Sequence, residues 1–406
     1  LYRRKRSSFG RYRGSRFESR SGIFKIILAV LAVLLALWLI FTGLSNLGSF
    51  MEIFKGDASG RENEQQLQPP QKPADGSSAP QTPPAENTSA VVPSEPVAEP
   101  PAAAYAVYVT DGSAYTEKGR QGVLSDLSAH GANAVVIDVK DGSGKLSYIS
   151  SVDAPFLDKV NGKGDLAAAV QEFKDNDVYV IARLSCFYDD IAPRRYNKMA
   201  VKTSGVTWLD RNYHSWINPY SPEGWDYISS IAQELCGMGV DEIMLRDYVF
   251  PTLGKVNIAY FSENDTIEKR AAAITTFVEK IKHDIGSGKA LSLEVGSELL
   301  AGDGDGKNGI DLTQLSAQCD MLCPVLRTSV YSKNAVIDGN KISVKNDGFT
   351  VLASSAADYL RQKAGDGIPI RPWLDINAGS TDSESQIITT DSLGCFGCIM
   401  TLTGGR

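Results

Sequence analysis

The chain has 406 residues, 43% of them hydrophobic, enough for one large domain or two ordinary ones around a sizeable core. Its formal charge of −7 hides an asymmetry: residues 1–25 hold nine Arg or Lys against one acid, Glu18, so the remainder stands at about −15. An acidic body argues against nucleic acid as a partner. Of the three histidines, His130 and His283 fall in segments that read as surface helices, which leaves only His214 for metal hydrolysis or a Ser/Cys–His nucleophile and favours carboxylate chemistry.

In chain order, residues 1–22 form a basic head. Ile23–Leu44 (IFKIILAVLAVLLALWLIFTGL) is apolar over the length that a helix needs to span hydrocarbon, with Lys25 near enough to one end to snorkel. The run is long for a cleaved signal peptide and no small-x-small site closes it. It therefore predicts a single-pass membrane anchor, the amino terminus cytoplasmic and the rest extracytoplasmic. Residues 45–104 form a linker. From 56 onward it is rich in Pro, Ala, Ser, Gln and Glu and lacks aromatics, so it predicts a disordered tether.

From residue 105 to 406, strand-like and helix-like segments alternate. Strands are predicted at Ala106–Thr110, Ala134–Lys140, Val178–Leu184, Glu242–Val249, Ala290–Val295, Asp320–Leu326, Ile370–Ile376 and Cys395–Leu402. Helical patterns lie between them, at Gly119–His130, Gly164–Asn176, Pro222–Met238, Thr266–Ile285, Asp311–Gln318, Ala353–Lys363 and Ser383–Ser392. Most strands are continuous apolar runs, as in a parallel sheet covered on both faces. Eight strands with seven helices predict an α/β fold, a (β/α)8 TIM barrel. A doubly wound sheet is the alternative, but no Gly-rich fingerprint follows the first strand.

A barrel of this kind carries its active site at the carboxyl ends of its strands. Charges recur there: Asp138, Lys140 and Asp141 on the second strand, then Arg183 followed by Asp189 and Asp190. Arg246 and Asp247 end the fourth, Glu294 the fifth, and Trp373 with Asp375 the seventh. Charge inside apolar strands is costly unless it is paired or lies at a solvated mouth.

AVYVT at the first strand, NAVVIDVKDGSGKLSY at 133–148 and VYVIARLSCFYDDIAPRR at 178–195 resemble the DUF4015 family of TIM-barrel, glycosidase-like domains. So do WLDRNYHSWINPYSPEGWDYISSIAQEL at 208–235, GVDEIMLRDYVFP at 239–251 and IPIRPWLDI at 368–376. The resemblance implies action on a glycosidic bond, with a carbohydrate or polysaccharide substrate and no cofactor. The fourth strand departs from the family's DEIQFDYVRFP pattern. Arg246 stands at the Asp position, Asp247 comes one residue later, and Val249 replaces the Arg. A one-residue shift turns a strand side chain to the opposite face unless a bulge restores it.

Glycoside cleavage takes one carboxyl group as acid and a second as nucleophile or base. In an arrangement resembling that of alpha-amylases, Asp247 is the expected nucleophile and Glu294 the acid, with Asp138 and Asp375 as reserve carboxylates. Arg183, Arg246 and Tyr248 are candidates to hold sugar hydroxyls or orient a carboxylate, Arg246 and Asp247 alternatively forming a structural ion pair. Trp373 beside Asp375 suits a sugar subsite or plain core packing. Trp216, with Trp208 and Trp225, lies on or near a loop that either shapes the cleft or caps the barrel. Cys395-x-x-Cys398 has the spacing of half a zinc site, but strand positions three apart face opposite sides, so no metal is expected. The favoured reading is an anchored, extracytoplasmic glycoside hydrolase. Its rival is a non-catalytic polysaccharide-binding or envelope-scaffold barrel.

Overall fold

The computed structural model describes residues 103–109, 112–302, 306–331, 333–377 and 381–403. The head, the predicted anchor at 23–44 and nearly all of the linker lie outside the described residues. Among those described, no helix is long and apolar enough to cross a membrane.

Eight parallel strands form one sheet: β1 Ala104–Val109, β2 Ala134–Lys140, β3 Tyr179–Ser185, β4 Glu242–Arg246, β5 Ala290–Val295, β6 Met321–Pro324, β7 Trp373–Asn377 and β8 Gly397–Thr403. Neighbours pair in sequence order, and β8 lies between β1 and β7. Parallel bridges Leu322–Ile370 and Val325–Trp373 join β6 to the β7 side and close the (β/α)8 barrel. All eight predicted strands are present. β4 is shorter than its apolar pattern because Asp247 takes a left-handed backbone, φ 54°, and ends the ladder at Arg246. β7 starts three residues late because Pro372 cannot donate to a ladder.

Among the described residues, seven helices of five residues or more fill the crossovers: α1 Glu117–Ala129, α2 Leu166–Asp175, α3 Pro222–Gly237, α4 Ile267–Ile285, α5 Leu312–Ser316, α6 Gly348–Ala364 and α7 Thr381–Ser392. Thr116, Asp165, Ser221, Thr266 and Asp311 cap the first five, each side chain accepting from a backbone N–H of the first turn. α3 shows why these segments dock as helices. Its buried Tyr227, Ile228, Ile231, Ala232 and Leu235 recur at helical spacing and face the strands.

Two cores result. One lies between the strands and the helices. The other fills the lumen with Ala104, Ala106, Ala134, Val136, Ile181, Met244, Met321, Cys323, Trp373 and Ile399. Lumen positions alternate along each strand, so the same parity that buries Ala106, Val136, Ile181 and Met244 sends Tyr108, Asp138, Arg183 and Arg246 towards the carboxyl-end mouth. At the amino end the parity places Glu242 inside. Arg371 meets it in a fully buried pair with bonds of 2.8 and 3.0 Å, and the Tyr179 hydroxyl donates to Glu242 at 3.2 Å.

Of the elements that the sequence pattern did not predict, two bear on the site. A short helix, Ser297–Leu300, follows β5, and a hairpin, Asn334–Ile337 with Asn340–Ser343, follows β6. They bond to each other, the Asp338 and Gly339 amides donating to Leu300 and Ala301 carbonyls at 2.9 and 2.8 Å.

Candidate active site

Arg183 is the hub of the mouth. Its Nε and Nη2 donate to the two oxygens of Glu294 at 2.6 and 3.1 Å, and its Nη1 donates to Asp138 Oδ1 at 2.9 Å. The Tyr108 hydroxyl donates to the other Asp138 oxygen at 2.5 Å. The guanidinium stacks 4.7 Å over the Trp373 ring, which meets Tyr108 edge-on at 4.7 Å. Such a buried cation is tolerable because every face of it meets a carboxylate or a π-system. Burial and the Asp138 charge push the Tyr108 phenol well above its usual range, so it remains a donor.

This packing corrects two expectations. Trp373 is 2% exposed beneath Arg183, and its Nε1 donates to Thr401 Oγ1 at 2.8 Å, so it is core and cannot stack on a sugar. Tyr248 is 1% exposed and donates to the Glu294 backbone carbonyl at 3.0 Å, which makes it a support for β5 instead of a sugar ligand.

Arg246 follows lumen parity, and Asp247 reaches the same mouth by a different route. The pairing of β4 with β3 and β5 has no bulge. The left-handed φ at Asp247 redirects its side chain, at a cost on the order of 1 kcal/mol for an L-residue. Asp247 Oδ2 then accepts from Ser185 Oγ at 2.6 Å and lies 2.9 Å from Arg246 Nε. Ser185 is the ladder neighbour of Arg246, which brings the three together. Asp247 Oδ1 has no protein donor among the described hydrogen bonds.

The other charges at this end are braces. Asp375 accepts from Arg327 Nε and the Ser329 amide, each at 2.8 Å. Burial alone would raise its pKa, but those bonds outweigh it and hold the carboxyl below its usual value. The reserve catalytic role is therefore corrected: Asp375 ties the β6–β7 seam. Lys140 and Asp189 form a fully buried pair at 2.9 Å, with Lys140 also donating to the Ser185 carbonyl at 2.9 Å.

Trp216 sits on the rim, its Nε1 donating to Asp210 at 3.1 Å and its ring 4.9 Å from Tyr188. Tyr188 stacks on His214 at 5.0 Å and lies so close over Gly142 that a Cβ there would come within 2.7 Å of the ring. The Tyr188 carbonyl lies 3.1 Å from Ser185 Oγ, the hydroxyl that bonds Asp247, which places this aromatic group on the Asp247 side, and burial with the Asp210 and Asp247 charges raises the Tyr188 phenol pKa. Trp208 is buried and bonded to the Lys255 carbonyl, and Trp225, in α3, to that of Pro219 and packed on Phe277 of α4, so both belong to the core between strands and helices. A cavity of about 210 Å³ opens beside Asp138, lined by Tyr115, Asp141, Lys145 and Ser147.

Glu298 was missed by the sequence reading. Its side chain is solvent-exposed but folds back over the end of β5, where a Cβ on Gly296 would lie 2.4 Å from its Oε1. Crowding by the surrounding protein, then the Asp247 and Glu294 charges, raise its pKa. No strand pattern marks it, because it lies beyond the strand in a short helix. Tyr108 was legible from the alternation with Ala106. Among the described residues no cluster of three or more His, Cys, Asp or Glu could hold a metal, and all six cysteines are free thiols.

The family model of DUF4015, "Putative glycosyl hydrolase domain", matches residues 106–386. Comparison with curated proteins gives no match. Among solved structures, a hypothetical protein from Ruminiclostridium thermocellum ATCC 27405 is similar at 26% identity and a TM-score of 0.41, over 47% of this chain and 97% of that one. The glycoside hydrolase domain of PelA from Pseudomonas aeruginosa is similar at 15% identity and TM-score 0.40, over 73% and 93%. Aspergillus fumigatus Ega3, in complex with galactosamine, is similar at 10% identity and TM-score 0.40, over 75% and 94%.

Proposed function

The chain belongs to the DUF4015 family of glycosyl hydrolase domains, and from that premise we propose that it cleaves glycosidic bonds in a cell-envelope or secreted polysaccharide, with Asp247 as nucleophile. The observation that carries the reading is the convergence of Asp138, Glu294 and Asp247 at one barrel mouth, with Asp247 Oδ1 left open to a substrate. Ser185 and Arg246 hold the other Asp247 oxygen, which fixes the direction of attack on the anomeric carbon. Glu294 and Asp138, locked by Arg183, supply negative potential to the oxocarbenium-like transition state. The aromatic rim around Tyr188 and Trp216 offers apolar faces to sugar rings, and the cavity beside Asp138 is of single-ring size. Residues 1–44 would keep the barrel outside a membrane, beside such a polymer.

The test is hydrolysis of a polysaccharide panel by the full chain, read as new reducing ends. Wild type should release product from at least one polymer. Asp247→Asn should lower kcat by at least about 10³, since a missing nucleophile removes the covalent step. Polymer binding without any product in wild type would support the non-catalytic scaffold instead.

A further inference from the structure

We propose that Glu298 is the proton donor to the departing glycosidic oxygen, an assignment that rests on the hydrolase reading above. The reasoning is an audit of carboxylate oxygens. Both oxygens of Glu294 are held in the Arg183 fork. Both oxygens of Asp138 are engaged, by Arg183 and Tyr108. Arg327 and the Ser329 amide take both oxygens of Asp375, and Asp189 is sealed against Lys140 and the Ile191 and Ala192 amides. A carboxyl group that donates a proton must turn an O–H towards the substrate, and none of these four can do so without breaking a charge-assisted bond.

Asp141 and Asp190 accept through Oδ1, in the loops after β2 and β3. The two carboxylates that have an open oxygen and act on each other are Asp247 and Glu298. Asp247 keeps Oδ1, and Glu298 has no side-chain partner among the described hydrogen bonds, its own backbone amide being the one bonding contribution. The Glu298 carboxyl folds over Gly296 just past β5, β5 pairs with β4, and Asp247 directly follows β4, so the Asp247 charge acts on Glu298. The two differ in the way the chemistry needs. Asp247 is solvated by a hydroxyl and the Arg246 guanidinium, whereas at Glu298 crowding and the Asp247 and Glu294 charges outweigh its own backbone amide and Arg246, and so it keeps its proton to higher pH. Its placement is also fixed. Leu299 and Leu300 are buried, the hairpin after β6 clamps the next two carbonyls, and Gly296 leaves space for the carboxyl to fold inward. Substituting any side chain for the Gly296 hydrogen would fill that space.

In the first step Asp247 Oδ1 bonds to the anomeric carbon while the C–O bond to the leaving sugar breaks. The electron pair stays on the leaving oxygen, which takes the Glu298 proton. In the second, Glu298, now carboxylate, removes a proton from water as the water oxygen bonds to the anomeric carbon and the Asp247 ester bond breaks. Glycoside and water are consumed, two hydroxyl products are released, and both side chains return to their starting states with retention at the anomeric centre.

The experiment uses the full chain and the polymer identified by the panel, compared with the 4-nitrophenyl glycoside of the same sugar. Glu298→Gln should lower kcat on the polymer by about 10²–10⁴. On the nitrophenyl substrate, whose leaving group needs no proton, bond cleavage should stay within about tenfold of wild type, as read from the burst of nitrophenol. The alkaline limb of the kcat/KM profile on the polymer should vanish. Equal losses on both substrates with the limb intact would mark a structural role and overturn the proposal. So would the leaving-group pattern appearing in Glu294→Gln and not in Glu298→Gln. If wild type hydrolyses nothing in the panel, the hydrolase reading fails first and takes this assignment with it.

Discussion

Replacing Arg183 by methionine tests whether one guanidinium organises the mouth. Methionine keeps the apolar stem over Trp373 and removes three charge-assisted bonds: two to Glu294 and one to Asp138. The side chains of Arg183, Glu294 and Asp138 are 8%, 12% and 29% exposed, so Asp138 regains water easily while Glu294 stays largely enclosed. Each such bond is worth ~1.5–3 kcal/mol, but they share one cation and do not add. Breaking an enclosed pair by removing one partner costs ~3–5 kcal/mol, and the partial exposure of Asp138 puts the expected loss near the lower bound, ~3 kcal/mol. Urea unfolding of the full chain, followed by tryptophan fluorescence, measures it as a lowered midpoint at unchanged slope. Hydrolysis should fall as well, since Glu294 and Asp138 lose their fixed directions. A stability for Arg183→Met within ~0.5 kcal/mol of wild type would refute the hub, because no enclosed charge would then have lost its partner.

Gly296→Ala should act on the chemistry more than on the fold. The added methyl would lie 2.4 Å from Glu298 Oε1, so the carboxyl must swing away, and kcat on the polymer should drop by at least about tenfold with ~1 kcal/mol or less of stability lost. Unchanged kcat would show that the carboxyl has no fixed station there. Asp284 of α4 accepts from Ser229 of α3 at 2.5 Å, which ties the two helices, and from Lys280 one turn back on its own helix at 2.8 Å. Burial alone would raise its pKa, but the bonds from Lys280, Ser229 and His283 prevail and lower it from 3.8 to about 2. A depressed carboxylate stabilises the fold above pH 4 and loses that contribution as pH falls towards 2. Asp284→Asn should therefore cost ~0.5–1 kcal/mol at pH 7, discounted for solvent screening, and flatten the acid limb of a stability–pH curve. An acid limb identical to wild type would contradict the assignment.

The barrel was legible because its signal is repeated. Eight apolar runs with helical patterns between them leave few other arrangements, although runs apolar on both faces do not tell lumen from outer face. The roles of single residues were less legible, for reasons that differ. Trp373 reads as a subsite aromatic until Arg183, 190 residues earlier, is seen to lie on top of it. Asp375 reads as an acid until the Ser329 amide and Arg327 claim both oxygens. Asp247 looked misregistered because sequence carries no sign of φ, and one left-handed residue does what a bulge was expected to do. Glu298 stands outside every strand, in a short helix just past β5 whose carboxyl end is held by the hairpin after β6, which had no clear pattern of its own.

The buried Glu242–Arg371 pair has a mechanical consequence. Glu242 begins β4 in the first half of the barrel, and Arg371 precedes β7 in the second, so the pair crosses the lumen as a tie rod. A half-barrel parting from its other half would carry one naked charge out of a dry interior, against a penalty of several kcal/mol. The weak seam between β6 and β7 is thereby guarded from the far wall: the barrel opens as a whole or stays shut.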